Sequence, residues 1–141
     1  MLTRNVREME QTENKRDTGY TPDAWEFDGE VTRVFDDMLG RSIPQYETMR
    51  ATVLEIADHF AKQGTYVADL GAARGEATSK LLDRRGAQLK YSLAESSKPM
   101  VEALRDRFRS WVEKGIVKVH DIDLRHEYPP EICSVVMSVL T

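Results

Sequence analysis

The chain has 141 residues, a formal net charge of −4, 40% hydrophobic and 31% charged side chains, and a single cysteine, Cys133. That length suits one globular domain with its own core. The negative balance excludes a global basic field for nucleic acid or a membrane surface, the lone cysteine excludes an intramolecular disulfide, and no apolar run approaches the ~20 residues of a membrane span.

The first 24 residues are polar and dense in mixed charge, with Arg4, Arg7, Glu8, Glu10, Glu13, Lys15, Arg16 and Asp17. With few apolar groups to offset ordering entropy, they read as a flexible tail. They also lack the apolar core of a signal peptide, so the expected compartment is the cytoplasm. From Trp25 the pattern changes. Val31, Val34, Phe35, Met38 and Leu39 recur at helical spacing, and Gly40 is the expected stop. Ser42 and Pro44 suit the cap and first turn of a second helix, with Tyr46, Met49, Val53, Ile56, Ala57 and Phe60 as its apolar face and Gly64 closing it.

A β/α alternation follows. TYVADL (65–70) reads as a strand, GAARG (71–75) as a glycine-bounded turn, and Glu76 to Arg85 as a helix. LKYSLA (89–94) is the second strand. Ser97 caps a helix with Pro99 in its first turn and Met100, Leu104, Phe108 and Trp111 on one face. IVKVH (116–120) is the third strand, Tyr128-Pro129-Pro130 a loop, and ICSVVMSVL (132–140) a fourth, strongly apolar strand. Strands separated by helices predict a parallel sheet with right-handed crossovers.

The most informative stretch is Asp69-Leu70-Gly71-Ala72-Ala73-Arg74-Gly75, at the end of the first strand. Gly71 permits a tight turn and close approach of backbone to a ligand, and Gly75 lets the next helix pack against the strand. Glu95 ends the second strand, where an acidic side chain can accept hydrogen bonds from both ribose hydroxyls of an adenosine. A dinucleotide fingerprint would have glycine in the middle of the turn to admit a diphosphate; here that position is Ala73, and Asp69 would repel the phosphates. The carboxylate suits a cationic ligand end, the ammonium and sulfonium of S-adenosylmethionine, better than a nicotinamide or flavin dinucleotide. The plainer alternative is that Asp69 only caps its turn and Glu95 is a solvated strand end.

The third strand runs into His120-Asp121-Ile122-Asp123. In this topology Asp121 could accept from the adenine amine, and Ile122 could pack on the ring and offer its backbone N–H; a charged loop is the competing reading. His59, His120 and His126 have no convergent spacing, no His/Cys/carboxylate group has metal-ligand spacing, and Cys133 reads as a small core residue. Arg105, Arg107, Arg109 and Lys114 read as a solvated helix face, with an RNA-contacting surface as the sharper alternative.

Asp69 to Gly75, Glu95 and Asp121 resemble the first three motifs of class I S-adenosylmethionine-dependent methyltransferases. "FDGEVTRVFDDMLGRSIPQYETM", "VADLGAARGEAT" and "SSKPMVEALRDRF" further resemble the carboxy-S-adenosylmethionine synthase branch, which serves tRNA wobble-uridine modification. The resemblance covers Trp25 onward. It implies an α/β, Rossmann-like fold: about four parallel strands in spatial order 3-2-1-4 with helices on both faces, preceded by two helices, and forming one domain over residues 25–141. It implies S-adenosyl-L-methionine, S-adenosylhomocysteine or a carboxylated form as ligand. Tyr46 and the backbone of Gly71, Ala72 and Ala73 would meet the methionine end, Glu95 and Ser96 the ribose, and Asp121 and Ile122 the adenine. Ser138 would lie near the reacting centre. The synthase branch has aspartate in place of Glu95, asparagine in place of Ser138 and an apolar residue in place of Arg74. Its C-terminal arginine for the extra carboxylate has no counterpart in this chain. A methyltransferase of unassigned acceptor is therefore the first reading, a synthase-like enzyme the second, and a cofactor-binding module that does no chemistry alone the third.

The fold of this family has more strands than four, so the acceptor-binding half is expected to be absent. Val135, Val136, Met137, Val139 and Leu140 make the last strand apolar on both faces, as in a central parallel strand. An apolar strand left at an edge invites association. The expectation is that this edge does not stay free: the polypeptide is a fragment of a longer one, a homodimer forms through it, or a partner chain completes the sheet.

Overall fold

The computed structural model describes residues 29–139, apart from the side chains of residues 29–33 and 36. The predicted charged tail, Trp25, the side chain of Val31 and Leu140 therefore lie outside the described residues. Helices α1 (Gly29–Ser42) and α2 (Tyr46–Phe60) precede strand β1 (Tyr66–Leu70), helix α3 (Glu76–Arg85), a 3-10 turn (Gly86–Gln88) and strand β2 (Lys90–Glu95). Helices α4 (Lys98–Arg107) and α5 (Arg109–Glu113), then strands β3 (Val117–Asp121) and β4 (Cys133–Ser138), complete the order.

The strands lie within one or two residues of the expected bounds. The single helix expected to carry Phe108 and Trp111 is instead two, α4 and α5, parted at Phe108. Two further helix boundaries differ from the sequence expectation. Gly40 lies inside α1, which runs on to Ser42. The stop comes from Pro44, whose ring disfavours helical geometry at Ile43. Ser42 thus ends α1 and does not cap α2; the N-cap is Gln45, held left-handed at φ 55°. The inward face of α2 is also rotated from the predicted one. Val53, Leu54, Ala57 and the following Ala61 pack into the core, whereas Ile56 and Phe60 are 54% and 61% exposed. Helix α3 spans the predicted residues, and Ser97 and Pro99 take the predicted cap and first-turn positions of α4.

The sheet is parallel throughout, in the predicted order β3-β2-β1-β4. Val67 stands opposite Tyr91 and Val135, and Tyr91 opposite Val117. Strand alternation puts these four on one face with Leu93, Val119 and Met137. That face joins Leu81 and Leu82 of α3, Leu104 of α4, Phe108 just beyond it, and Ala57 of α2 in one core. Helices were expected on both faces; among the described residues they gather on this one. The connection from β3 to β4 explains the asymmetry. It carries Tyr128-Pro129-Pro130 and forms no helix, and over the other face it instead lays Glu131, whose carboxylate accepts from Ser92 Oγ at 2.7 Å and Lys118 Nζ at 3.1 Å.

Strand β4 is the outer strand beside β1 among the described residues. Met137 is buried, but Val136 is 59% exposed. Cys133 is half-buried, not a full core residue, and its Sγ lies 3.3 Å from Glu131 O.

Candidate functional site

The carboxyl ends of β1 and β2 meet at the glycine turn. The backbone N–H groups of Gly71 and Ala72 both donate to Ala94 O at 3.0 Å, which folds the turn back against β2. Gly71, Ala73 and Gly75 all have positive φ, at 69°, 48° and 77°. For Ala73 that geometry is costly by roughly 1–2 kcal/mol relative to right-handed backbone. It is held by Glu95, whose Oε2 accepts from the Ala73 N–H at 2.9 Å.

Gly75 has a role the sequence did not give it. A Cβ there would lie 2.5 Å from Cε2 of Phe108 and 2.9 Å from Cδ2 of Leu104. The missing side chain makes room for α4, not for the strand beside α3. Arg107 secures the same junction, donating to Arg74 O at 2.9 Å and to Glu76 Oε1 at 2.6 Å. It is thus a structural tie, in contrast to the solvated face predicted for the arginine cluster.

Asp69 is 5% exposed, and its Oδ2 accepts from Thr78 Oγ1 at 2.8 Å. Burial raises its pKa above the ordinary carboxylate value, opposed by the Thr78 hydrogen bond and the charge of Arg50. The turn-capping alternative is met in part, because Asp69 fastens the first turn of α3. The carboxylate also lines a cleft with Gly71, Ala72, Ala73, Arg74 and, from the α1/α2 side, Phe35, Leu39, Tyr46 and Arg50. Tyr46, Asp69, Gly71, Ala72 and Ala73 are therefore brought together. Arg50 was missed. It lies one helical turn after Tyr46, a spacing that places both on one face, but its charge took it out of the apolar stripe.

The remaining predicted residues lie around this cleft, with corrections. Glu95 Oε1 accepts from the backbone N–H groups of Ser96 and Ser97, both at 2.9 Å. With Ala73 on the other oxygen, three of a carboxylate's about four acceptor positions are filled. Glu95 as it stands can take one further hydroxyl, not the two expected of it, and the Ser96 N–H is already used. The Ile122 N–H donates to Glu95 O at 3.1 Å, so it is not offered outward as predicted. Asp121 is exposed at the end of β3, directly opposite Glu95 in register. Asp123 grips Arg125 through both carboxylate oxygens, which pulls its pKa down to about 2, so the second acid of that motif is a loop clamp. Ser138 pairs with Leu70 and shares its face, away from the core; the neighbouring Val139 lines the cleft instead.

The histidines do not converge. His59 stacks edge-on against Phe60, His120 Nε2 lies 3.1 Å from Glu131 Oε2 on the other sheet face, and the His126 N–H donates to Asp123 O. Among the described residues no group of His, Cys, Asp and Glu could hold a metal ion. No helix of the described residues is long and apolar enough to cross a membrane.

No family model matches the chain. Two curated relatives are carboxy-S-adenosyl-L-methionine synthases. That of Actinobacillus pleuropneumoniae serotype 5b is 33% identical over 103 residues, covering 71% of this chain and 42% of the relative. That of Shewanella sp. strain ANA-3 is 31% identical over 102 residues, covering 72% and 42%. The chain thus spans less than half the length of the curated relatives it matches. Among solved structures, coclaurine N-methyltransferase bound to N-methylheliamine and S-adenosylhomocysteine superposes with a TM-score of 0.50 at 16% identity, covering 67% of this chain and 28% of that one. The [4+2]-cyclase SpnF also superposes at 0.50, with 13% identity, covering 67% of this chain and 40% of that one. These likenesses establish the fold.

Proposed function

We propose, for a chain that has the class I S-adenosylmethionine-dependent methyltransferase fold and is homologous over 71% of its length to carboxy-S-adenosyl-L-methionine synthases, that it binds S-adenosyl-L-methionine at the carboxyl edge of β1 and β2 and takes part in transfer of the one-carbon group. One observation carries the reading: Glu95 reaches from the end of β2 to the Ala73 N–H, so an acidic acceptor and a close-approach backbone turn stand together beside a cleft lined by Tyr46 and Asp69. A dinucleotide fits less well. Buried Asp69 faces the cleft where a diphosphate would have to approach, and Ala73 occupies the position that would need glycine.

The residues present suit the ligand in three places. Glu95 keeps one acceptor position for a ribose hydroxyl, Asp69 suits a cationic end, and Gly71 and Ala72 admit the ligand close to backbone. Bound there, the sulfonium would supply an activated methyl group. The protein's part is then to hold donor and acceptor in line and to exclude water. No side chain is assigned as a general base, because methyl transfer needs one only where the acceptor must lose a proton.

The second reading, a synthase-like enzyme that makes the carboxylated cofactor for tRNA modification, is favoured by the curated relatives. Mass spectrometry of nucleoside copurified with the chain distinguishes the two by the mass of the carboxyl group. Titration calorimetry with S-adenosylhomocysteine tests what they share: saturable binding is expected, and its absence would leave the fold without this ligand. Cytoplasmic residence belongs to the same proposal, as does a homodimer or partner chain alongside β4, supported by exposed Val136 on that outer strand. Sedimentation showing a stable, unassociated monomer would count against the partner.

A further inference from the structure

We propose that Arg50 recognises the α-carboxylate of the ligand's amino-acid end, opposite Asp69, which takes the ammonium; this rests on the nucleoside reading above and assigns a residue that neither the motifs nor the resemblance supplies. Arg50 stands one turn after Tyr46 on α2, with its guanidinium carbon 5.8 Å from the centre of the Tyr46 ring. Its Nη2 is buried and has no hydrogen-bond partner among the described residues. A guanidinium nitrogen that is neither hydrated nor bonded is costly, and buried polar groups of that kind are rare unless something completes them. Arg50 lines the same cleft as Asp69, Gly71 and Ala72 and also a closed apolar space with Val53, Leu54 and Met137, so a rotation of its side chain turns the buried Nη2 toward a partner in the cleft, which the apolar space does not supply.

The chemistry of the missing partner follows from the donor. Nη2 of a planar guanidinium calls for an anionic oxygen, and a carboxylate, with two coplanar oxygens, can take it together with a neighbouring N–H of the same group. The cation–π contact with Tyr46, at 5.8 Å, keeps the guanidinium charge beside the ring and on the cleft side of α2. Asp69 then selects among anions. Its buried carboxylate would repel a phosphate chain, but it complements a ligand carrying a positive group beside the negative one. An α-amino acid end has that pair of charges. A simpler assignment, Arg50 as the counter-ion of Asp69, is not what the side chains do: no ion pair joins them among the described residues, although the Arg50 charge does lower the pKa of Asp69 against the effect of burial.

The test compares S-adenosylmethionine, its decarboxylated analogue and methylthioadenosine by titration calorimetry against the wild-type chain, Arg50→Met and Arg50→Lys. The wild type is expected to prefer S-adenosylmethionine over the decarboxylated analogue by about tenfold or more, the scale of one charge-assisted hydrogen bond. Arg50→Met should erase that preference and leave methylthioadenosine, which has no amino-acid end, bound as before. Arg50→Lys, which keeps the charge but not the planar fork, should retain part of the preference. Full wild-type preference in Arg50→Met overturns the assignment. If Arg50→Met also loses methylthioadenosine, its fold has failed and Arg50→Lys decides, with an unchanged preference overturning the assignment. A wild type that binds all three alike removes only the role of Arg50. A wild type that binds none removes the nucleoside reading and this inference with it.

Discussion

Glu95 Oε2, at the end of β2, accepts a hydrogen bond at 2.9 Å from the N–H of Ala73, the one alanine of the glycine turn held left-handed. The contact joins the two sequence signals of the site. Glu95→Ala would leave the N–H groups of Ala73, Ser96 and Ser97 without their acceptor. Loss of S-adenosylhomocysteine affinity by ~1–3 kcal/mol is expected, the scale for removing a hydrogen bond to a charged group. Calorimetry measures it, and unchanged affinity would remove Glu95 from the ribose. Glu95→Gln, which keeps one acceptor oxygen of the same reach, should lie between the two.

Gly75→Ala should destabilise the chain by roughly 2–5 kcal/mol, from a left-handed penalty of roughly 1–2 kcal/mol and an overpacking penalty of about 1–3 kcal/mol. The added Cβ would fall 2.5 Å from Phe108 at φ 77°. Denaturant midpoints measure the loss. Adding Phe108→Leu should recover part of it, because the clash can be relieved and the φ penalty cannot.

Asp69 should make the fold less stable as pH rises. Its pKa is raised by burial, so the folded state holds the proton over a range where the unfolded chain has released it. Stability is then lost from the unfolded value near 3.8 up through the higher folded value, because the folded state binds more protons there. Asp69→Asn keeps an oxygen for Thr78 and removes the buried charge. It should raise the melting temperature at neutral pH while weakening cofactor binding. A variant both less stable and equally tight would contradict the role given to Asp69.

Glu131 should act in the opposite direction. Burial pushes its pKa up, but hydrogen bonds from Ser92 and Lys118 outweigh that and leave it lowered. Its contribution is present above the unfolded value of 4.5 and is lost as pH falls through the lowered folded value. Glu131→Ala would strip the acceptor from the fully buried Ser92 hydroxyl, at a cost of about 1–3 kcal/mol. Thermal melts from acid to neutral pH should show the gap between wild type and variant closing on the acid side; a constant gap would place the effect in packing alone.

The succession of strands and helices, the bounds of α3 and the position of the glycine turn were legible in the sequence, because each is set by neighbours along the chain; the spatial order β3-β2-β1-β4 followed from the family resemblance. Apolar strands alternate with helical spacing, Gly71 and Gly75 bracket the turn, and Glu95 ends its strand by local pattern. The helix boundary at Gly40 was misread for the same local reason: glycine is a common stop, but Pro44 was the stronger one.

What the tertiary structure decided concerns partners far apart in sequence. Only the packed strands show that the Ile122 N–H is spent on Glu95 O, that Glu95 already holds three backbone donors, and that Ser138 shares the face of Leu70 while Val139 enters the cleft. Arg50 illustrates the limit best. In the sequence it is one cation among 20 lysines and arginines, marked only by its spacing of one helical turn from Tyr46. It becomes a site residue only when α2 folds across β1 and leaves its Nη2 buried and without a partner among the described residues, on a side chain that shares the cleft of Asp69, since burial and the want of a partner are properties of a place in the fold.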